Sequence, residues 1–347
     1  MFARIDFQGP ARYRIRSAAL AARTAAAVSA RRLLKGPRRP GWNWWVEVAT
    51  ELLNRQLVAA FDMNDAKEAR SFLDSMVLRS PALSEVTITP VLQDNFKASW
   101  FVGNNAQPQV TVLYLHGGGY SFYPQSYTNF IALITLAAKS KTLALDYGLS
   151  PEYRFPSQLD DALNAYRWLL DSGVNACDLV VAGDSAGGNL TLALLLKARE
   201  LQLPLPALAV ALSPPTNFTI EPINGGCDWI EPAMLARWRD WFCDAADRLN
   251  PLVSPVLADL RGLPAIYIQA GRCEVLFDSI QAFADVAKCQ AADVTLETWD
   301  DMNHDFQLFG PDAPQSAEAL RRIAEVIKAR LHPPQKPLPQ PEGQQTQ

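Results

Sequence analysis

Three short segments of the chain carry residue types that could do acyl-transfer chemistry together. In the first, Gly183-Asp184-Ser185-Ala186-Gly187-Gly188 follows the apolar run Leu179-Val180-Val181-Ala182 and leads into Asn189-Leu190-Thr191-Leu192, which reads as a helix. Glycines on both sides of a serine permit a strained strand-to-helix turn that lifts Oγ out of the backbone, and the helix N-terminus aims partial positive charge at it. Asp184, inside that turn, either orients it or satisfies nearby backbone donors. In the second segment, the strand-like run 110–115 enters His116-Gly117-Gly118-Gly119-Tyr120. Consecutive glycines expose backbone N–H groups, and with the N–H of Ala186 they would stabilise a tetrahedral oxyanion. A phosphate-cradling loop would also use glycines, but its lysine and following serine or threonine are missing.

Serine at neutral pH needs a base, and the chain has three histidines. His116 precedes the glycines, where its ring would order the loop, and His332 sits beside the C-terminal tail. His304, in Asp300-Asp301-Met302-Asn303-His304-Asp305 just after the strand-like Val294–Trp299, is the base by elimination. A carboxylate should hold the imidazole tautomer, and chain order places it between the serine and the histidine. Glu274 stands nearest the end of the strand-like run 265–270; Asp278 is the reserve. Cys273, beside Glu274, reads as packing.

The elements that must position these residues begin near residue 84. Short β-rich runs at 85–91, 97–102, 110–115, 142–146, 178–183, 207–212, 265–270 and 294–299 alternate with helix-length segments at 126–139, 157–171, 187–200, 278–291 and 316–331. This alternation predicts an α/β fold, a mostly parallel eight-stranded sheet flanked by helices. Residues 1–83 read as a helical cap region, with a basic helix over 11–35, a tryptophan-bearing helix from about 42 and a further helix over 64–78. An insertion at 214–250 interrupts the alternation and carries Trp229, Trp238 and Trp241, so it is expected to join that cap. Tyr120, Trp42 and Trp229 are candidates for walling a substrate pocket; Trp42, Trp44 and Trp45 could equally pack helices onto the body. The catalytic domain is expected over 84–331 and a disordered Pro/Gln-rich tail over 332–347.

Composition narrows the partners. The chain has 347 residues, 49% hydrophobic, with a net charge of −4 that is unevenly spread: residues 1–40 hold ten Lys/Arg against one Asp, leaving 22 basic and 35 acidic residues beyond. An acidic body argues against nucleic acid. No run is long and apolar enough to span a bilayer. The basic segment reads as a solvated helix capping the fold, as a surface that touches anionic membranes, or as a transit peptide. Five cysteines, an odd number without a CxxC pair, suggest neither a disulfide framework nor a zinc site and fit a reducing, cytoplasmic compartment. Neither metal nor organic cofactor is expected.

With these residues in view, the chain resembles the hormone-sensitive-lipase-like (bacterial family IV) branch of the α/β-hydrolases. The resemblance covers about 85–331 and rests on His116-Gly117-Gly118-Gly119, Asp146-Tyr147 with Ser150-Pro151-Glu152, Gly183-Asp184-Ser185-Ala186-Gly187-Gly188, the acid region and His304, all in family order. It implies Ser185 as nucleophile, His304 as base, and Gly117, Gly118 and Ala186 as oxyanion donors, with Gly119 and Asp184 in support. It also implies a helical cap, a monomer or a homodimer through the edge strand near 294–299, and hydrolysis of small esters with short to medium acyl chains. The family's usual acid motif is Asp-Pro-Leu with a second Asp two residues on; Glu274-Val275-Leu276-Phe277-Asp278 departs from it and aligns Glu274 with the catalytic acid. The same triad could serve an amidase or N-acetyl hydrolase, and a non-catalytic receptor could keep the fold, although loss of a triad member would then be expected.

Overall fold

The computed structural model describes residues 4–63, 65–107, 109–221 and 227–331, so His332 and the tail 333–347 lie outside the described residues. The chain opens with β1 (Arg4–Phe7) and α1 (Ala11–Lys35), continues through α2 (Trp44–Phe61) and α3 (Ala66–Leu73), and returns as β2 (Met76–Arg79), antiparallel to β1. The helix expected over 64–78 is therefore only eight residues long. Asp65 caps its start, accepting from the Lys67 and Glu68 N–H groups, and the last residues of the stretch pair as a strand instead.

Several basic side chains of α1 and its flanks are paired with carboxylates of neighbouring elements. Tyr13, Ser17, Thr24 and Val28 form its buried stripe. Arg31 and Arg32 both reach the Glu47 carboxylate on α2, whose side chain is 1% exposed and also accepts from the Arg38 N–H. Arg12 pairs with Glu68, Arg38 with Glu51, and Arg4 with Asp6. Opposite charges along neighbouring elements explain why this basic segment folds down as a helix over the body.

The main sheet contains β3 (Val86–Leu92), β4 (Lys97–Gly103), β5 (Thr111–Leu115), β6 (Lys141–Leu145), β7 (Leu179–Asp184), β8 (Leu208–Leu212), β9 (Ala265–Gly271) and β10 (Val294–Trp299). Their order is β10-β9-β8-β7-β5-β6-β4-β3, antiparallel at β3–β4 and β4–β6 and parallel elsewhere. The central strands β5, β7, β8 and β9 are buried at every residue. They read as unbroken apolar runs because helices cover both faces. Packed on one face are α4 (Tyr127–Ala138) and α9 (Pro314–Leu331); α5 (Ser157–Asp171), α6 (Ser185–Glu200) and α8 (Phe277–Cys289) cover the other. The insertion contributes α7 (Pro232–Phe242).

From β5 the chain goes to β6 on one side and then to β7 on the other. Strand order reverses there, and an open parallel sheet leaves its binding crevice outside the carboxyl ends of the strands at such a point. Loops after β5, β7, β9 and β10 all emerge at that edge.

Candidate active site

Ser185 opens α6 directly after β7 with φ of 49°, in the left-handed region that costs a non-glycine residue about 1–3 kcal/mol. The turn packs because Gly183 and Gly187, two residues away on either side, carry no Cβ. A Cβ on Gly187 would overlap the Leu115 and His116 carbonyls, so α6 can approach β5 only with glycine there. Ala186 lies in the first turn of α6, where N–H groups lack helical acceptors.

The loop after β5 is fixed from both sides. The His116 ring is sandwiched between Tyr123 and Tyr147, at 3.7 and 4.0 Å between centroids and nearly parallel, and its Nδ1 donates to the Gly117 carbonyl at 2.7 Å. Burial pushes the imidazole down to about 3, against the pull of that carbonyl, so it is neutral at ordinary pH. Asp184 accepts from the Tyr114 hydroxyl at 2.6 Å, the Tyr127 hydroxyl at 2.8 Å and the Gly117 N–H at 3.1 Å. Burial and the nearby Asp305 charge push its carboxyl up to about 8, although these three donors work the other way.

That last bond corrects one sequence expectation. The Gly117 N–H is committed to Asp184 and is not available to an oxyanion. Gly118 and Gly119, at φ of 92° and 60°, have N–H groups without an intramolecular acceptor among the described residues, and both line the larger cavity at Ser185. The free donors are thus shifted one residue along the loop.

His304 and Glu274 are brought together. Glu274 follows β9, His304 follows β10, both are buried, and His304 Nδ1 lies 3.1 Å from Glu274 Oε2. Burial pushes the Glu274 carboxyl up to about 7, although the hydrogen bond to His304 works against it. Burial alone would pull the His304 imidazole down, but the Asp305 and Glu274 carboxylates outweigh it and hold it well above its ordinary value. The carboxylate on Nδ1 is not that of Asp278, which stands in the first turn of α8 against the smaller cavity. Ser185 Oγ is not hydrogen-bonded to His304 here; catalytic contacts of this kind often close only around substrate.

Two functional residues escaped the sequence reading. Asp228, in the insertion, accepts from the Val275 N–H at 2.8 Å and the His304 N–H at 3.1 Å, so one carboxylate ties the acid loop to the base loop. Its neighbour Trp229 donates its indole N–H to the His304 carbonyl at 2.6 Å. Asp305, next to His304, has φ of 47° and places Oδ2 3.1 Å from His304 Nε2. A run such as Cys227-Asp228-Trp229 carries no local signal of this work, since its partners lie in loops distant in sequence.

Two cavities meet at Ser185, Gly119 and Trp238. The smaller, about 830 Å³, is lined by Tyr120, Ala186, Phe218, Leu276 and Asp278. The larger, about 1170 Å³, runs between the sheet and the N-terminal elements, past Trp45, Leu53, Leu57, Met76 and Trp229. Tyr120 also stacks on Phe242 of α7 at 3.8 Å and donates to Asn189 Oδ1 at 2.6 Å. Trp42 must be removed from the pocket candidates. It is buried among Cys227, Cys273, Met302 and Phe306, with its indole N–H on the Asp301 carbonyl at 2.6 Å, and faces neither cavity.

Comparison with known proteins agrees with this architecture. The family pattern described as the alpha/beta hydrolase fold matches residues 112–308, more than half of the chain. The chain belongs to the α/β-hydrolases. Within them this α/β-hydrolase is similar to an acetyl-hydrolase of Streptomyces hygroscopicus, 37% identical over 227 residues, covering 64% of this chain and 75% of that one. Among solved structures it is similar to the esterase EstE5, whose crystal was soaked with p-nitrophenyl butyrate, at 31% identity and a TM-score of 0.77, covering 84% of this chain and 99% of that one. An esterase of the bacterial hormone-sensitive lipase family is also similar, at 29% identity and a TM-score of 0.70, covering 90% and 98%. This hydrolase is therefore of the hormone-sensitive-lipase-like branch. Among its described residues no helix is long and apolar enough to cross a membrane.

Proposed function

We propose that this α/β-hydrolase is a serine carboxylesterase acting on small carboxylic esters through an acyl-serine intermediate. The observation that carries the reading is the placement of Ser185, raised on a positive-φ turn where two cavities meet, at the sheet edge that also bears the Glu274–His304 pair. The named activities of the relatives, esterase and acetyl-hydrolase, support the same reaction class.

In the mechanism, Ser185 Oγ attacks the ester carbonyl as its proton passes to His304 Nε2. The oxyanion is held by the N–H groups of Gly118, Gly119 and Ala186. Imidazolium then gives the proton to the departing alkoxide, which leaves an acyl ester on Ser185. Water attacks the acyl carbon as its proton passes to His304, and the imidazolium returns that proton to Ser185 Oγ as the C–Oγ bond breaks, which releases the acid and restores Ser185. Glu274 keeps the Nδ1–H tautomer and offsets the charge of the imidazolium in both halves of the cycle. His116 is neutral and stacked, and serves to hold the glycine loop.

The two cavities suit the two arms of an ester, and the apolar lining of the larger one supports an acyl chain of short to medium length as its occupant. The N-terminal elements and the 214–250 insertion act as the cap over residues 84–331. All five cysteines are free thiols, with Cys177 and Cys289 exposed, which supports a reducing, cytoplasmic setting. The test is a p-nitrophenyl ester series from acetate to dodecanoate with wild type and Ser185→Ala. We expect a maximum at short to medium chains and a loss of at least about 10⁴-fold in kcat on substitution. Unchanged turnover in Ser185→Ala would sink the mechanism.

A further inference from the structure

The wall of the larger cavity is apolar except at a few points, and most of those have partners. Tyr127 donates to Asp184, Gln56 to the Leu73 carbonyl, Ser126 to the Met76 carbonyl, and Asn129 accepts from the Ser80 N–H. Asp305 differs. It is the one carboxylate or cation among the described residues of that wall. Its side chain is 1% exposed, its Oδ1 has no hydrogen-bond partner among the described residues, and its Oδ2 lies 3.1 Å from His304 Nε2.

The backbone places it there. The Asp305 N–H donates to Ser213 Oγ at 3.1 Å, and φ of 47° turns the side chain back over the imidazole. A buried carboxylate without a donor is strongly disfavoured. His304 cannot be that donor during turnover, because general-base action requires Nε2 to face Ser185.

We propose that Asp305 is a specificity-determining residue that receives a hydrogen-bond donor, a hydroxyl or an ammonium, carried near the carbonyl on the ester arm in the larger cavity. This rests on the esterase reading and names the substrate class of the same site. The reach is short. Nε2 must come within about 3 Å of Ser185 Oγ, which bonds the carbonyl carbon, so the carboxylate lies within about two carbons of the reacting centre along either arm. Such a donor pairs with Asp305 and leaves His304 Nε2 to the serine. An unsubstituted alkyl arm leaves the carboxylate against the imidazole and is turned over more slowly.

The test compares kcat/KM for methyl butyrate with methyl 2-hydroxybutyrate, methyl 3-hydroxybutyrate, methyl 3-aminobutyrate and 2-hydroxyethyl butyrate, by proton release. Wild type, Asp305→Asn and Asp305→Gly are compared through the ratio of each ester to methyl butyrate, so that intrinsic ester reactivity cancels. Glycine suits the positive φ, and asparagine is isosteric. We expect at least one donor-bearing ester to show a ratio about tenfold higher in wild type than in Asp305→Gly. Asp305→Asn should keep part of a hydroxyl preference and lose an ammonium preference. Equal ratios in wild type and Asp305→Gly, with methyl butyrate still hydrolysed, would overturn the proposal alone; no hydrolysis of any ester by wild type would overturn the esterase reading itself. Should Asp305→Gly fail to fold, the same comparison with Asp305→Asn decides, equal ratios for all four esters overturning the proposal.

Discussion

The loops at the carboxyl edge of the sheet and the elements laid over them are built on different terms. Ser185, Gly118, Gly119 and Asp305 hold their places through positive φ, and Gly187 through a backbone approach that excludes a Cβ. The walls supplied by α2, β2 and the insertion are set by side-chain volume: Leu53, Leu57, Met76 and Trp238 fill space that other apolar residues could fill. Backbone requirements are met by few residue types, whereas volume requirements are met by many. Changes to the edge loops should therefore abolish or preserve activity, and changes to the walls should grade it.

Asp228 is where this contrast is most open to being broken, because it belongs to the insertion yet holds both the acid and the base loops. Asp228→Ala is expected to lower kcat by about 100-fold, the effect of a misplaced catalytic group, with KM changed less than about twofold. Asp228→Asn, which keeps an acceptor oxygen, should recover part of kcat. A loss confined to KM would place Asp228 among the wall residues. A pure wall change comes next in size. Ala49→Trp, on α2 against the larger cavity, should reduce kcat/KM for decanoate and dodecanoate esters by about tenfold and leave acetate within about twofold. Uniform loss along the series would mean that the edge loops had moved.

The smallest expected effect is in pH dependence. Because Asp305 and Glu274 outweigh burial at His304, its pKa lies above the ordinary 6.5. Activity needs the neutral imidazole, so kcat/KM should fall as pH is lowered through an acid limb above 6.5. Removing a neighbouring negative charge in Asp305→Asn moves that limb down, and Ala49→Trp leaves it in place. A wild-type limb at or below 6.5 would contradict the electrostatics described for this pair.

Much of this was legible in the sequence, for identifiable reasons. The eight strands of the main sheet fall within one residue of the runs predicted for them; for β5, β7, β8 and β9 the reason is that buried parallel strands leave unbroken apolar runs between turns. Helix α1 occupies Ala11–Lys35, the span its composition marked out. The serine turn and the glycine loop declared themselves because backbone geometry dictates residue type. The β1–β2 pair did not, since two four-residue strands far apart in sequence signal nothing until they meet. The committed Gly117 N–H depends on where Asp184 points. Trp42 and Trp229 look alike in sequence, and only packing separates the one against Met302 from the one against a cavity.

The bonds from Asp228 and Trp229 to the backbone of residues 275 and 304 also bear on re-engineering this protein. Lids are attractive cassettes, exchanged between homologues to graft a new substrate range onto an old scaffold. Here the seam of such a cassette cannot follow the visible boundary of the insertion. Residues 228 and 229 have to stay with the recipient scaffold, and a chimera cut on either side of them would inherit a lid whose shape is right over a base loop that has lost its anchor.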